Sequence, residues 1–288
     1  MNKEKIIEEY FLPPFDVLLT LKDPRTYEIQ DAEKQDDYLE MTGLNYEHIP
    51  HLIKILDLWL NDDLWEIDDD FLIFSPVHAW RILGQLKSEE AISPLLAMLD
   101  PMDKRGDDWQ LEEFNYLFRN IGPKAIPALK NYLYETGHEL FAYVPVLDCI
   151  KEIGTINEEA RRVSIEILKN KLEFYEKNDK HLNSSLISCL IDLKAVETAE
   201  LIERAFAAYR VDYRMEGDWG DVKKLLGVEG LGLAPEGVAQ TNNPFANIFK
   251  NSFSSSNTFS RNNSLSRNQA KAKRKKGKKS RKKNRRKK

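Results

Sequence analysis

Few residues in this chain have the types and spacing that chemistry needs. His48 and His51 stand three apart across Pro50, a separation that places two imidazoles on one helix face, but no further Cys, His or Glu recurs nearby at metal-ligand spacing. They read as a pair at a helix start, with no metal. Asp62, Asp63, Asp68, Asp69 and Asp70 are dense enough to attract a cation, yet the run lacks the central glycine and terminal glutamate of a calcium loop. Gly230-Leu231-Gly232 follows no strand pattern and lacks the third glycine of a dinucleotide loop, so it reads as a flexible exit from the last helix. Cys149 and Cys189 each fall inside an apolar helical pattern, as expected of reduced, buried thiols in a cytoplasmic protein. Neither Ser nor Cys sits in a nucleophile motif. No catalytic residue and no cofactor follow from these patterns, and contacts between distant segments, where an activity would have to be assembled, are not readable from one sequence.

The residues with the strongest chemical consequence are charges. With 288 residues, 42% hydrophobic and 31% charged, the chain is long and apolar enough for a substantial core. Its net charge of −4 conceals a division: no acidic residue follows Glu236, and residues 251 to 288 hold 16 of the 43 Lys and Arg, which leaves 27 basic against 47 acidic groups, or −20, on residues 1 to 250. Fourteen of the last eighteen residues are basic: Lys271, Lys273, Arg274, Lys275, Lys276, Lys278, Lys279, Arg281, Lys282, Lys283, Arg285, Arg286, Lys287 and Lys288. Such a run repels itself and forms no core. It suits polyphosphate, above all RNA or the ribosome, by counterion release without base readout, and it has no aromatic residue for stacking. The plainer alternatives are a solubility element or a retention signal. Between body and tail, the Asn, Ser and scattered Phe of residues 229 to 270 read as a disordered linker; Phe245, Phe249 and Phe253 repeat every four residues, which suits a transient amphipathic helix, although incidental Phe is the simpler reading.

Inside the body the decisive pattern is a repeat. Ala79 to Leu86 has helical apolar spacing, Lys87-Ser88-Glu89 turns, and Glu90 to Leu99 is helical again. The same grammar returns as Phe114 to Ile121 with Ala125 to Leu133, as Val144 to Ile153 with Glu158 to Leu168, and as Leu186 to Leu193 with Thr198 to Ile202. Anchor alanines Ala91, Ala125, Ala160 and Ala199 are spaced by 34, 35 and 39 residues. Recurring helix pairs of this period predict an all-α protein, an α-solenoid in which each pair buries its apolar face on its neighbours. The expected organisation is a capping segment over 1–45, repeats over 46–228, the linker over 229–270 and the tail over 271–288.

The string His78-Ala79-Trp80 through Leu83-Gly84-Gln85-Leu86 to Ala91-Ile92 and Leu95-Leu96 resembles the short HEAT-like repeat associated with phycobilisome lyases, and Gly122-Pro123-Lys124-Ala125-Ile126-Pro127-Ala128-Leu129 is similar to it. Residues 17 to 228 as a whole resemble a group of bacterial HEAT-repeat proteins of undefined function, through Leu18-Leu19-Thr20-Leu21, Glu47 to Ile53, Leu186-Ile187, Leu193 to Glu197, Gly217-Asp218-Trp219, Val222 and Leu226-Gly227. In some of those relatives a Cys-rich SEC-C zinc segment follows the body. This chain has no Cys after Cys189, which puts any such zinc function in doubt. The resemblance implies a fold and is nearly silent on activity.

In a solenoid of helix pairs the connections between pairs share one edge. That edge collects Asp62, Asp63, Glu66, Asp68, Asp69, Asp70, then Asp100, Asp103, Asp107, Asp108, then Glu135 and Glu139. These acids read either as helix caps on a solvated edge, with Glu112 and Glu113 favouring the start of the following helix, or as a surface for a basic partner. The candidate partner-binding residues are Trp65, Asp68, Asp69, Asp70, Asp107 and Asp108, because the expected loop from Asn61 to Pro76 is long and sets an indole among acids. The expected function is a non-catalytic scaffold that binds another protein through its repeats and RNA or the ribosome through its tail. Two alternatives are a lyase-like or chaperone-like helper acting on a protein client, and a structural module whose tail binds its own acidic edge. No apolar run is long enough to span a membrane, and the acidic start argues against a secretory signal, so a cytoplasmic location is expected.

Overall fold

Asn2 opens the first helix by accepting a hydrogen bond from the Lys5 N–H, and the same device recurs down the chain wherever an Asp or Asn precedes a helical run. The computed structural model describes residues 2–31, 34–61, 63–64 and 67–229; residue contacts divide the chain into a unit Met1–Ala234 and a unit Pro235–Lys288, and every described residue belongs to the first. The expected tail and nearly all of the expected linker lie outside the described residues. Among those described, the structure is all-helical, without strands.

The helices are α1 (Lys3–Tyr10), α2 (Tyr38–Thr42), α3 (Ile49–Leu60), α4 (Asp70–Gln85), α5 (Ile92–Ala97), α6 (Leu99–Arg105), α7 (Asp108–Leu111) and α8 (Phe114–Ile121). They continue as α9 (Ile126–Tyr134), α10 (Tyr143–Ile156), α11 (Glu158–Leu172), α12 (Lys180–Asp192), α13 (Ala199–Ala207), α14 (Tyr213–Glu216) and α15 (Trp219–Leu226). They pack in two rows. One row runs α4, α8, α10, α12, each against the next; the other runs α3, α5, α9, α11, α13 in the same manner. The rows are joined by contacts of α3 with α4, α9 and α11 with α10, and α11 with α12. Ala91, Ala125, Ala160 and Ala199 are all buried, each beside the turn joining a helix of the first row to one of the second. Methyl-sized side chains there let the helices approach closely. Two glycines serve the same end: a Cβ on Gly84 would lie 3.1 Å from Leu117 Cδ2, and one on Gly154 would lie 2.8 Å from Ser164 Cβ.

Three boundaries differ from the sequence expectation. α4 begins at Asp70 rather than near Ala79, because Asp69 caps it through the Phe71 and Leu72 N–H groups; the part of the expected loop from Asp70 to Pro76 is therefore helix. Pro76 is tolerated inside it. Proline removes the donor that the Leu72 carbonyl would have received, and the Ser75 hydroxyl supplies a substitute at 2.7 Å. α10 continues through Gly154-Thr155 to Ile156, and the turn falls at Asn157, whose side chain accepts from the Ala160 N–H to start α11. The single helix expected over Glu90 to Leu99 is divided, α6 following directly on α5.

Before α3 the chain forms α1, α2 and short 3-10 turns joined by irregular segments. Ile6, Phe11 and Leu18 are buried and hold this segment to the body. His48 and His51 serve the same attachment: His48 Nδ1 accepts from the Asn45 N–H, His51 Nε2 bonds the Tyr10 carbonyl at 2.8 Å, and the Phe15 ring stacks on His51 at 3.9 Å. Cys149 and Cys189 are buried free thiols, and burial pushes both pKa values well up, which suppresses the thiolate. Among the described residues no helix is long and apolar enough to cross a membrane.

Candidate functional site

The acids of the loop edge separate into groups with different work. Asp68, Asp70 and Asp108 are exposed. Asp69 is engaged twice, as the cap of α4 and in an ion pair with Lys3 at 2.6 Å, and the bond from Lys3 holds its carboxyl below the usual range. Asp107 stands partly buried at the N-cap position of α7. Trp65, Asp62 and Glu66 lie outside the described residues. The start of α4 and the short α7 are neighbours: the Arg25 guanidinium lies 5.9 Å from both the Phe74 and the Trp109 ring centroids, is held by the Asp23 carboxylate, and is attracted by Asp70. A basic side chain of the chain itself thus already lies near two aromatic rings and the exposed Asp70.

Asp100 and Asp103, expected on the same open edge, are instead drawn into the structure. Asp100 accepts from the Tyr132 hydroxyl at 3.1 Å and the Glu139 N–H at 2.7 Å, and contacts His138 Nδ1 at 2.7 Å. Burial opposes its charge, yet those bonds pull its pKa below the ordinary value. Asp103 accepts from the Phe141 N–H, and burial raises its pKa. Glu139 pairs with Lys104 at 3.5 Å, and Glu135 approaches His138 at 3.4 Å. These side chains fix the connection between α9 and α10. Acid spacing in a sequence does not distinguish a carboxylate that ties down a loop from one that faces water.

The pairing of the two most heavily buried charges was not read from the sequence. Arg81 is 3% exposed and Glu113 6%, and they form a two-pronged ion pair of 2.5 and 2.9 Å, with Trp80 Nε1 donating to the same carboxylate at 3.1 Å. Glu113, expected to favour a helix start by its charge, is therefore a buried partner joining α4 to the beginning of α8. Arg81 also donates to the Pro24 carbonyl at 2.8 Å and to the Tyr38 hydroxyl at 2.7 Å. That hydroxyl lies 3.2 Å from His78 Nδ1, while His78 Nε2 lies 3.0 Å from the Lys22 carbonyl. Since Tyr38 accepts from Arg81, its own proton points to His78, and the arrangement is satisfied by a neutral His78 protonated on Nε2. The one sequence signal was a charge, Arg81, inside an apolar helical run, with an acid, Glu113, just before another such run.

A pH dependence follows. Burial, and then the Arg81 charge, depress the His78 pKa from its ordinary 6.5 to about 4. A histidine depressed in the fold contributes stability that is present above the unfolded pKa and is lost as pH falls from about 6.5 toward about 4, because the unfolded chain binds the proton more readily. Between pH 7 and pH 5 the loss is about 2 kcal/mol. His78→Gln, which retains an amide donor but does not titrate, is expected to flatten that part of the profile. Urea unfolding of both proteins at pH 7, 6 and 5 measures it, and parallel profiles would show that His78 is not the group responsible.

Two shallow clefts, of about 380 and 430 Å³, lie at the connections after α11 and between α12 and α14; the second is lined by Phe141, His181, Tyr213 and Arg214, and Arg214 is committed to Asp212 by two hydrogen bonds. Neither presents a nucleophile beside a base. Comparison of the chain with protein-family models, with curated proteins and with solved structures finds no match.

Proposed function

We propose that this chain is a non-catalytic interaction adaptor: an α-solenoid of HEAT-like helix pairs that binds a protein partner, with a Lys/Arg tail that associates with RNA or the ribosome in the cytoplasm. The observation that carries the reading is the stacking of helix pairs in two rows, with an alanine buried at each turn. Stacks of this kind leave their loop edges and outer helix faces available, and such surfaces recognise other macromolecules. The position of Arg25, near Asp70 and near the Phe74 and Trp109 rings, supports a basic partner at the acidic edge, since the edge accommodates a guanidinium there already.

The test replaces only the exposed acids. Asp68→Asn, Asp70→Asn and Asp108→Asn together are expected to leave the unfolding midpoint nearly unchanged, because exposed charge changes usually move stability by no more than about 0.5 kcal/mol each. Capture of a basic partner from nuclease-treated lysate at low salt is expected to weaken against the wild-type chain, since exposed charges act most strongly there. Undiminished capture of the same partner by the triple variant would return these acids to the role of a solvated edge.

A further inference from the structure

The connections that precede α10, α12 and α14 meet around a cleft of about 430 Å³, at the small end of the range for ligand sites and suited to one small unit rather than a length of chain. Leu140 and Phe141 line it from the first connection, Lys180 and His181 from the first turn of α12, and Tyr213 and Arg214 from α14. Each wall is fixed from behind. The Phe141 N–H donates to Asp103 at 3.1 Å, and the Asp212 N–H donates to the Ser184 hydroxyl at 2.8 Å. The fully buried Asn183 donates to the Tyr175 and Arg210 carbonyls, and Arg210 donates to the Tyr175 and Asn178 carbonyls, which ties the last connection to the one before α12. Walls held in this way lose little freedom when a ligand enters.

They present rings and donors. Phe141 is 52% exposed and Tyr213 59%, and the His181 ring lies edge-on to Phe141 at 5.1 Å. Large aromatic faces left in water at a cleft are available for stacking. The lining acids are already engaged: Asp179 accepts the His181 N–H as the cap of α12, and Asp212 accepts from Arg214 Nε at 2.9 Å and Nη2 at 2.7 Å, bonds that hold its carboxyl below the usual range. The cations keep donors to spare. The Arg214 side chain is 78% exposed and its Nη1 takes no part in the Asp212 pair, while the exposed Lys180 ammonium pairs with none of the described residues. The complement of this cleft is a planar group for its rings joined to an anion for its free N–H groups, and a nucleoside phosphate carries both. The neighbouring cleft differs, because the exposed Glu173 and Glu176 line it.

We propose that this cleft binds one nucleoside phosphate unit, free or within an RNA strand, with its base on Phe141 and Tyr213 and its phosphate on Lys180 and Arg214. The strand form rests on the reading that the chain associates with RNA, and deepens it: the tail has no ring to stack on a base, and the cleft has two. A single unit in an open cleft leaves retention of a long RNA to the tail.

The test photolabels the full chain with azidoadenosine monophosphate, maps the labelled peptides and reads the concentration that half-saturates each. Saturable labelling is expected in the peptides that hold Phe141, Lys180 and Tyr213, with unlabelled adenosine monophosphate protecting at lower concentration than adenosine, and inorganic phosphate protecting least. Phe141→Ala and Tyr213→Ala are each expected to raise the half-saturating concentration about fivefold or more, the loss of one stacked ring. Lys180→Gln is expected to remove most of the advantage of the monophosphate over adenosine and to leave adenosine itself unchanged. All three positions are exposed, and thermal unfolding checks that each variant folds. Half-saturation rather than yield is compared, because Tyr213→Ala also removes a ring that the azide can label. The same azidoadenosine inside a nine-residue RNA identifies the source: half-saturation at lower concentration than the free nucleotide assigns the cleft to a strand, and no gain assigns it to the nucleotide alone. Labelling of these peptides that does not saturate, or unchanged half-saturation in both ring variants, overturns the proposal even where the tail binds RNA. Saturable labelling of the cleft in a chain that binds no RNA sustains the site and removes only the strand as its source.

Discussion

Glu113→Ala is expected to destabilise the body by about 3 to 5 kcal/mol, the cost of leaving a buried guanidinium without its carboxylate. Arg81 is buried and cannot move its charge into water without dragging α4 out of contact with α8 and with the strap, residues 21–31 and 34–38, whose backbone carbonyls at Lys22, Pro24 and Asp36 are held by His78, Arg81 and Gln85. The same carboxylate receives Trp80 Nε1, so the substitution leaves an indole N–H unpaired as well. The loss is expected to spread to the strap, because Arg81 holds Pro24 and Tyr38 in the geometry that Glu113 orients. Urea unfolding gives the magnitude, and limited proteolysis within residues 21 to 38 reports the strap. Removing both charges with Arg81→Met and Glu113→Leu is expected to cost less than Glu113→Ala alone, since buried pairs replaced by apolar groups of similar volume are often tolerated. A loss below about 1 kcal/mol for Glu113→Ala would mean that Arg81 finds another partner and that the strap is not organised by this pair.

Deleting residues 269 to 288 is expected to abolish nucleic-acid binding and leave the helical signal of the body unchanged. Fourteen basic groups in the last eighteen residues would contact phosphates, and nothing in their sequence is suited to reading base edges, so binding should show little sequence preference. Counterion release sets the salt dependence, with a log–log slope of about 0.7 per phosphate neutralised on single strands and about 0.9 on duplex DNA. Engagement of six phosphates on single-stranded RNA would reduce affinity about 300-fold between 50 and 200 mM salt. The fourteen basic groups set the ceiling, and competition for them by the −20 carried by residues 1 to 250 would lower the number engaged. Filter binding of full-length and truncated chains across a salt series decides the matter. If the full chain binds no RNA at low salt, or the truncated chain binds equally well, the tail has another use and the nucleic-acid half of the proposed function falls.

How much of this was legible in the amino-acid order depends on what each feature needs. Helix pairs were legible because a periodic apolar face and a turn are local, and the four anchor alanines marked their register before any contact was known. Helix ends were less so. The start of α4 was misplaced because Pro76 signals an interruption, and only the Ser75 hydroxyl on the Leu72 carbonyl removes the penalty. The turn expected at Gly154 moved to Asn157 because that glycine answers a close approach by Ser164 rather than a backbone bend.

By itself the sequence determined the helical class, the repeat spacing and the division of charge between an acidic body and a basic tail, since each follows from composition or from neighbours a few residues apart. Only the tertiary structure decided which charges are free to act. Asp100 and Asp103 turn inward to fasten a loop, Asp69 caps a helix and pairs with Lys3, and Glu113 buries itself against Arg81, while Asp148 and Asp192 come together across two helices forty-four residues apart in the chain. A carboxylate's role is set by the donors within about 3 Å of it and by its access to water. Both are properties of the packed helices, and neither is carried by the order of residues along any one of them.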